Sequence, residues 1–364
     1  MEGDHSIQLA QISCALGSGG FFLIRNCRKF PPSRMRKCLD YARQFYDILG
    51  KSHSIQESIL PAGLSFRGYV GPGYSGQDNT VPSMIDWKES WDIGPPALGS
   101  KSGDPRYAIF TGEGNRWIED ELLPGFRDFM QSYLADIMEL QFEILDIIGR
   151  SIGLDQNEIA KKCCFEAIPT LKLIHYWPQP NASPIKDQET DRFYGKLDRP
   201  PEVELDHNPS LIGIGEHRDY GLLTILLQDE VGGLEAKLPD GSWVPITPIE
   251  GTFVINVGNM LSRMSGGRLK SAFHRVVNRA SGVRHSCACF LEPSFDVLVH
   301  PSILFPGDKP EGSVETVREH ETTPESWEFC DDYGLVGDTC GDILFHLFKA
   351  NGRLADERFD DFCK

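Results

Sequence analysis

Gly215-Glu216-His217-Arg218-Asp219-Tyr220-Gly221-Leu222-Leu223-Thr224-Ile225-Leu226-Leu227-Gln228 decides the reading of this chain, because it joins an H-x-D pair to a β-like apolar run. His217 and Asp219 are two positions apart, so on an extended strand or at its end both side chains project to the same side. A third ligand must then come from elsewhere in the fold. His274 opens the strand-like run His274-Arg275-Val276-Val277 and supplies it. Two imidazoles and one carboxylate suit a divalent iron bound on one face, with the opposite face open to substrate and dioxygen. Ten residues beyond His274, Arg284-His285-Ser286 presents an R-x-S able to clamp a carboxylate. Taken alone the H-x-D also reads as a histidine beside an acid in a surface network.

Working outward, residues 171–177, 222–228, 233–238, 243–247, 252–257, 274–278 and 283–291 form short β-like runs broken by turns. Pro239-Asp240-Gly241 separates two of them, which indicates an antiparallel sandwich or barrel. Helical patterns come earlier. Apolar residues recur every three or four positions from Phe126 to Ile148, after Pro124 and before Gly153, the usual asymmetry of a helix. A second helix is expected from an N-cap at Ser33 to about Leu49, and a strand over Gly20 to Ile24. Residues 61–116, rich in Gly, Pro, Ser and Asp, read as mostly loop. Helices first and strands afterwards give a mixed α/β (α+β) fold, a double-stranded β-helix (jelly-roll) core supported by N-terminal helices.

The 364 residues are 40% apolar and 24% charged, an ordinary globular composition. A net charge of −17 argues against nucleic acid or an anionic membrane surface as partner. Ten cysteines without a C-x-x-C indicate neither a zinc knuckle nor a disulfide framework. The start, Met1-Glu2-Gly3-Asp4-His5, lacks a secretory pattern, and no run approaches the roughly 18 apolar residues of a membrane span, so a cytoplasmic protein is expected.

The H-x-D stretch, His274-Arg275-Val276-Val277 and Arg284-x-Ser286 with Pro293 after it resemble the plant-type, isopenicillin-N-synthase-like branch of the 2-oxoglutarate/Fe(II)-dependent dioxygenases. Phe21-Phe22, Asp86-x-Lys88-Glu89, Asn115-x-Trp117, Leu123 to Arg127, Val231 to Leu234 and Gly251 to Gly258 follow that family's landmarks in order. The resemblance covers about residues 12–300. It implies Fe(II) on His217, Asp219 and His274, with 2-oxoglutarate held by Arg284, Ser286 and Tyr176. It further implies dioxygen as oxidant, succinate and CO2 as products, ascorbate as a candidate reductant, and an Fe(IV)-oxo species that removes a hydrogen from a small-molecule substrate. Hydroxylation, desaturation or oxidative ring closure would all begin that way. An iron oxidase that does not consume 2-oxoglutarate is the nearer alternative, and a non-catalytic jelly-roll binding module the remoter one.

Arg67, Tyr69, His175, Tyr220 and Phe290 are the substrate-pocket candidates, each also readable as a packing or surface residue. Tyr74 and His207 are weaker candidates. Ile174 stands where many relatives carry asparagine, and Arg218 where threonine or serine is usual; strand alternation would turn Arg218 away from the iron, into solvent or a salt bridge. The expected organisation is a helical N-terminal region over 1–165, the oxygenase jelly roll over 166–300 and a C-terminal extension over 301–364 with a helix near 345–354. The chain begins without the strand that usually precedes the first helix in relatives, as a compact variant or a piece of a longer protein would.

Overall fold

Every other residue of the central strands is apolar and faces the same way, and that alternation builds a two-sheet core in the computed structural model, which describes residues 2–61, 67–71, 86–95, 104, 106–107, 110, 114–178, 213–306, 335 and 337–350. The strands are β1 (Phe21–Arg25), β2 (Gly68–Val70), β3 (Lys88–Ile93), β4 (Ile168–Tyr176), β5 (Ile214–His217), β6 (Leu223–Gln228), β7 (Leu234–Lys237), β8 (Trp243–Pro245), β9 (Thr252–Val257), β10 (His274–Val276) and β11 (Arg284–Glu292). The helices are α1 (Glu2–Ser18), α2 (Pro32–Leu49), α3 (His53–Ser58), α4 (Phe126–Ser151), α5 (Glu158–Cys163), α6 (Asn259–Met264), α7 (Pro301–Leu304) and α8 (Cys340–Ala350). Seven strands form one antiparallel sheet in the order β1-β9-β6-β11-β4-β3-β2, and four form another, β5-β10-β7-β8. This is the expected α+β jelly roll.

The odd-numbered strand residues Trp91, Leu171, Leu173, Ile225, Leu227, Phe253, Ile255, Cys287, Cys289 and Leu291 join one core with helical residues such as Phe45, Tyr46, Met130, Tyr133 and Ile137. The even-numbered Ile174, Tyr176, Val254 and Ala288 instead meet Leu234 and Val276 of the smaller sheet, with Leu226, Phe290 and Phe21 packed beside them. The larger sheet therefore has an outer face under helices and an inner face toward the second sheet. Apolar burial on the outer face dominates its stability: Ile255, fully buried, would cost about 2–5 kcal/mol if cut to alanine.

Some expectations change. Helix α2 is capped at Pro31 without a side-chain hydrogen bond, which puts Ser33 inside the first turn; the proline ring already sets the entry angle. Arg67-Gly68-Tyr69 and Asp86 to Glu89, expected in loop, run into β2 and β3, because tertiary pairing with β4 overrides weak local propensity. The N-terminal region is thus not only helical: β1, β2 and β3 all join the larger sheet. The 239–241 turn does join β7 to β8, with Gly241 at φ 85°. Helix α8 begins at Cys340, earlier than expected. Tyr74 and His207 lie outside the described residues.

Candidate metal and cosubstrate site

Strand β5 ends at His217 and β10 begins at His274, and their antiparallel pairing sets the two histidines directly opposite each other. The ring centroids are 4.2 Å apart. Asp219 is not on the strand itself but in the turn just after its end, where its carbonyl oxygen accepts the N–H of Asn259 at 2.8 Å. The turn still returns its carboxylate to the histidines. Oδ1 of Asp219 lies 3.7 Å from Nε2 of His217 and 3.5 Å from Nε2 of His274. One ligand atom from each residue falls within 4.8 Å of the others, the only such His/Cys/Asp/Glu group among the described residues.

Neighbouring groups leave one atom of each residue free for a metal. Nδ1 of His217 sits 2.8 Å from the carbonyl of Gly215, and Nδ1 of His274 sits 3.1 Å from that of Ala272. A carbonyl only accepts, so both Nδ1 atoms carry a proton, and Nε2 is the atom that offers a lone pair once each ring is neutral. On the carboxylate, Oδ2 accepts from Thr224 Oγ1 at 2.6 Å and from Asn256 Nδ2 at 2.7 Å, which leaves Oδ1 toward the histidines. Such outer partners fix ligand orientation. Thr224 and Asn256 lie in motifs quoted above, yet nothing in the sequence marks them as carboxylate donors; β6–β9 pairing sets them side by side.

Burial lowers the pKa of His217 to about 4, helped by the facing His274. Burial acts on Asp219 the other way, but the two histidines and the Thr224 hydrogen bond hold its carboxyl below the usual range. For His274, burial is outweighed by the Asp219 carboxylate, which raises it. A neutral imidazole and an ionised carboxylate are the forms a metal needs, and a divalent cation would replace the proton that His274 shares with Asp219. The donor set fits a first-row divalent ion with open positions.

Arg284, Ser286 and Tyr176 meet on the inner face of β11 and β4. Arg284 is fully buried, and its guanidinium donates to Ser286 Oγ at 3.3 Å and to Gln228 Oε1 at 3.3 Å, while its Nε has no partner. Its carbon lies 4.5 Å from the Tyr176 ring centroid. Ser286 Oγ donates to the Tyr176 hydroxyl at 3.5 Å, and burial keeps that phenol's pKa raised. Among the described residues Arg284 hydrogen-bonds only neutral oxygens, with the buried Asp229 carboxylate within its electrostatic reach, and a guanidinium so placed can take an anion.

A family model described as the 2OG-Fe(II) oxygenase superfamily matches residues 194–293. The 2-oxoglutarate-dependent dioxygenase frbA of Dothideomycetidae sp. (strain 11243) is 31% identical, over 84% of this chain and 85% of its own length. The chain belongs to the 2OG-Fe(II) oxygenase superfamily. This oxygenase is also 33% identical to a probable iron/ascorbate oxidoreductase of Dictyostelium discoideum, over 90% of this chain and 84% of that one. A full-length Neurospora crassa protein, solved in complex with α-ketoglutarate, superposes with a TM-score of 0.66 at 25% identity, covering 96% of this chain and 93% of that one. The protein is thus a non-haem oxidoreductase that uses Fe(II), 2-oxoglutarate and dioxygen.

The pocket candidates of this oxygenase separate by strand parity. Phe290 shares the inner face with Arg284 and Ser286. His175 does not: it faces the helices, edge-on to Tyr46 of α2 and 4.9 Å from the His285 ring. Tyr69 is on that outer side too, where its hydroxyl donates to Glu89. Arg67, 4% exposed, lies against Gly94 and donates to the Pro95 carbonyl at 2.6 Å. Tyr220 packs on the main core rather than the inner cluster. Arg218, half-buried, stacks on Phe273 with its guanidinium 4.0 Å from the ring centroid. Ile174 is buried in the inner cluster beside Tyr176. Among the described residues, no helix is long and apolar enough to cross a membrane.

Proposed function

We propose that this oxygenase holds Fe(II) through Nε2 of His217, Oδ1 of Asp219 and Nε2 of His274, and takes the distal carboxylate of 2-oxoglutarate on Arg284, with Ser286 and Tyr176. The observation that carries the reading is the fully buried Arg284 guanidinium, whose Nε has no hydrogen-bond partner and which lies on the same inner face as the donors that grip Asp219. When bound, the iron supplies dioxygen activation coupled to decarboxylation of 2-oxoglutarate to succinate and CO2. The chain's own residues perform the rest. The Nδ1 hydrogen bonds to Gly215 and Ala272 aim both imidazoles, and Thr224 with Asn256 keeps the Asp219 carboxylate turned to them. Arg284 pairs with the cosubstrate in a charge-assisted geometry, Ser286 adds a hydroxyl, and the Tyr176 ring stacks under the guanidinium. Phe290 walls the same face and excludes water from it.

The substrate is a small molecule oxidised at a C–H bond, by hydroxylation first, with desaturation or ring closure following from the same hydrogen removal. The Neurospora neighbour, solved with 5-formyluracil as well as α-ketoglutarate, supports a substrate of that size. We also read 1–165 as a supporting region, 166–300 as the catalytic unit and 301–364 as an extension. The free state of the described cysteines and the acidic charge support a cytoplasmic protein that leaves nucleic acid alone. Succinate release and dioxygen uptake, followed together with purified protein and Fe(II), test the reading: equal amounts are expected. Dioxygen uptake without loss of 2-oxoglutarate would mark an oxidase instead, and no binding of 2-oxoglutarate would overturn the cosubstrate assignment.

A further inference from the structure

Asp86 and Lys88 stand outside the ligand set and the clamp, yet both are buried, each 7% exposed. The register of β3 puts Lys88 opposite Tyr176, which lies opposite Arg284, so Lys88 continues the clamp row on the inner face. Asp86 precedes the strand and reaches across to the smaller sheet. Its Oδ1 accepts the N–H of Gly215 at 2.9 Å, and its Oδ2 is 3.7 Å from Lys88 Nζ. Gly215 in turn accepts from Nδ1 of His217 at 2.8 Å. Strand β5 is an edge strand, paired only with β10 among the described residues, so its outer side lacks a ladder to hold it. The side chain of His217 is 24% exposed, against 7% for Asp219 and 9% for His274. The most exposed of the three candidate ligands therefore ends an edge strand, and Asp86 holds that strand's backbone at Gly215, two residues before it.

Resting on the iron-site reading above, we propose that Asp86 is a positioning residue for His217: it clamps the free edge of β5 at Gly215, and the Gly215 carbonyl aims the imidazole. Lys88, held by the same carboxylate, places an opposing positive charge beside the metal. The two residues then have opposite effects on metal affinity. Loss of the Asp86 acceptor loosens a ligand, whereas loss of the Lys88 charge removes repulsion.

The test compares charge-balanced variants by anaerobic Fe(II) titration against a chelator, with the Co(II) ligand-field spectrum as a report on ligand geometry. Asp86→Asn with Lys88→Met keeps the acceptor and is expected to bind Fe(II) within about threefold of the unaltered protein, as partners that orient ligands matter through their hydrogen bonds. Asp86→Leu with Lys88→Met has similar shape but no acceptor, and about 10- to 100-fold weaker binding with an altered Co(II) spectrum is expected. Lys88→Met alone should bind Fe(II) as tightly as the unaltered protein or a few-fold tighter. Equal affinities for the two double variants, or weakening by Lys88→Met alone, overturn the proposal. Should the leucine variant fail to fold, Asp86→Ala with Lys88→Met, which also lacks the acceptor, takes its place: binding about 10- to 100-fold weaker than that of the asparagine variant upholds the proposal, and equal binding overturns it. If the unaltered protein binds no Fe(II), and His217→Ala changes nothing, the iron-site reading itself has failed.

Discussion

The two faces of the larger sheet are built from the same strands and surround their buried polar groups differently: a guanidinium with hydroxyls on one, imidazoles and carboxylates beneath a helix on the other. On the inner face, Arg284, Ser286 and Tyr176 hydrogen-bond to one another and to Gln228, with the Arg284 Nε left over, and form the candidate cosubstrate clamp. On the outer face, the alternating neighbours His175, His285 and Glu89 are closed in beneath α2, with Tyr69 donating to Glu89 and the Asp229 carboxylate accepting the backbone N–H of His285 at 2.6 Å. One residue of strand separates a candidate cosubstrate clamp from a structural network. A one-residue shift in register would exchange them.

The largest effect should come from the inner side, at the metal. Asp219→Ala removes the one carboxylate among the three candidate ligands, and Fe(II) binding measured anaerobically should fall below detection while the fold, followed by circular dichroism, persists. Next, Arg284→Leu should weaken 2-oxoglutarate binding by about 100-fold or more, since a buried charged contact broken on one side costs about 3–5 kcal/mol. By contrast, His175→Phe on the outer face should leave 2-oxoglutarate affinity unchanged within about twofold, because the ring faces the helices. An equal loss in both variants would erase the distinction between the faces.

Acidification should probe the outer face more gently. Burial lowers His175 to about 3 and His285 to about 4, so below their unfolded value of 6.5 the unfolded chain takes up two protons that the folded one refuses. Glu89 works in the other direction: burial raises it to about 7, so the folded state holds a proton that the unfolded chain releases above 4.5. The net difference grows to one proton by pH 5, and urea unfolding should show stability from these groups falling with a slope that approaches about 1.4 kcal/mol per pH unit there. Glu89→Gln removes the offset and should steepen that loss to about 2.8 kcal/mol per unit. The smallest effect belongs to Tyr176→Phe. Its hydroxyl lies 3.5 Å from Ser286, a weak contact, while the ring that supports Arg284 remains, so 2-oxoglutarate affinity should drop about threefold or less.

Much of the site was legible because its chemistry is concentrated in short motifs. His217, Asp219 and His274 carry rare metal-binding groups at an informative spacing, and the structure brings them together. The Phe126–Ser151 helix and most strands were equally legible from periodicity. The pocket candidates fared less well, and for one physical reason: His175 and Tyr69 are chemically suited to a site, but the direction of a strand residue depends on which sheet face is inside. The contacts of Asp86, Thr224 and Asn256 were not legible: Asp86 meets Gly215 at 2.9 Å and Asn256 meets Asp219 at 2.7 Å across segments distant in the chain, and Thr224, though near Asp219 in sequence, reaches it only through the turn between them.

By itself, then, the sequence determined what this protein can bind: two imidazoles, a carboxylate and an arginine two residues before a serine limit the chemistry whatever the fold around them. Only the tertiary structure decided which side chains face that chemistry. Alternation along a strand gives two faces from sequence, but the pairing of β4 with β11 and the packing of α2 on one side of them choose which face lies under helices and which carries the candidate clamp.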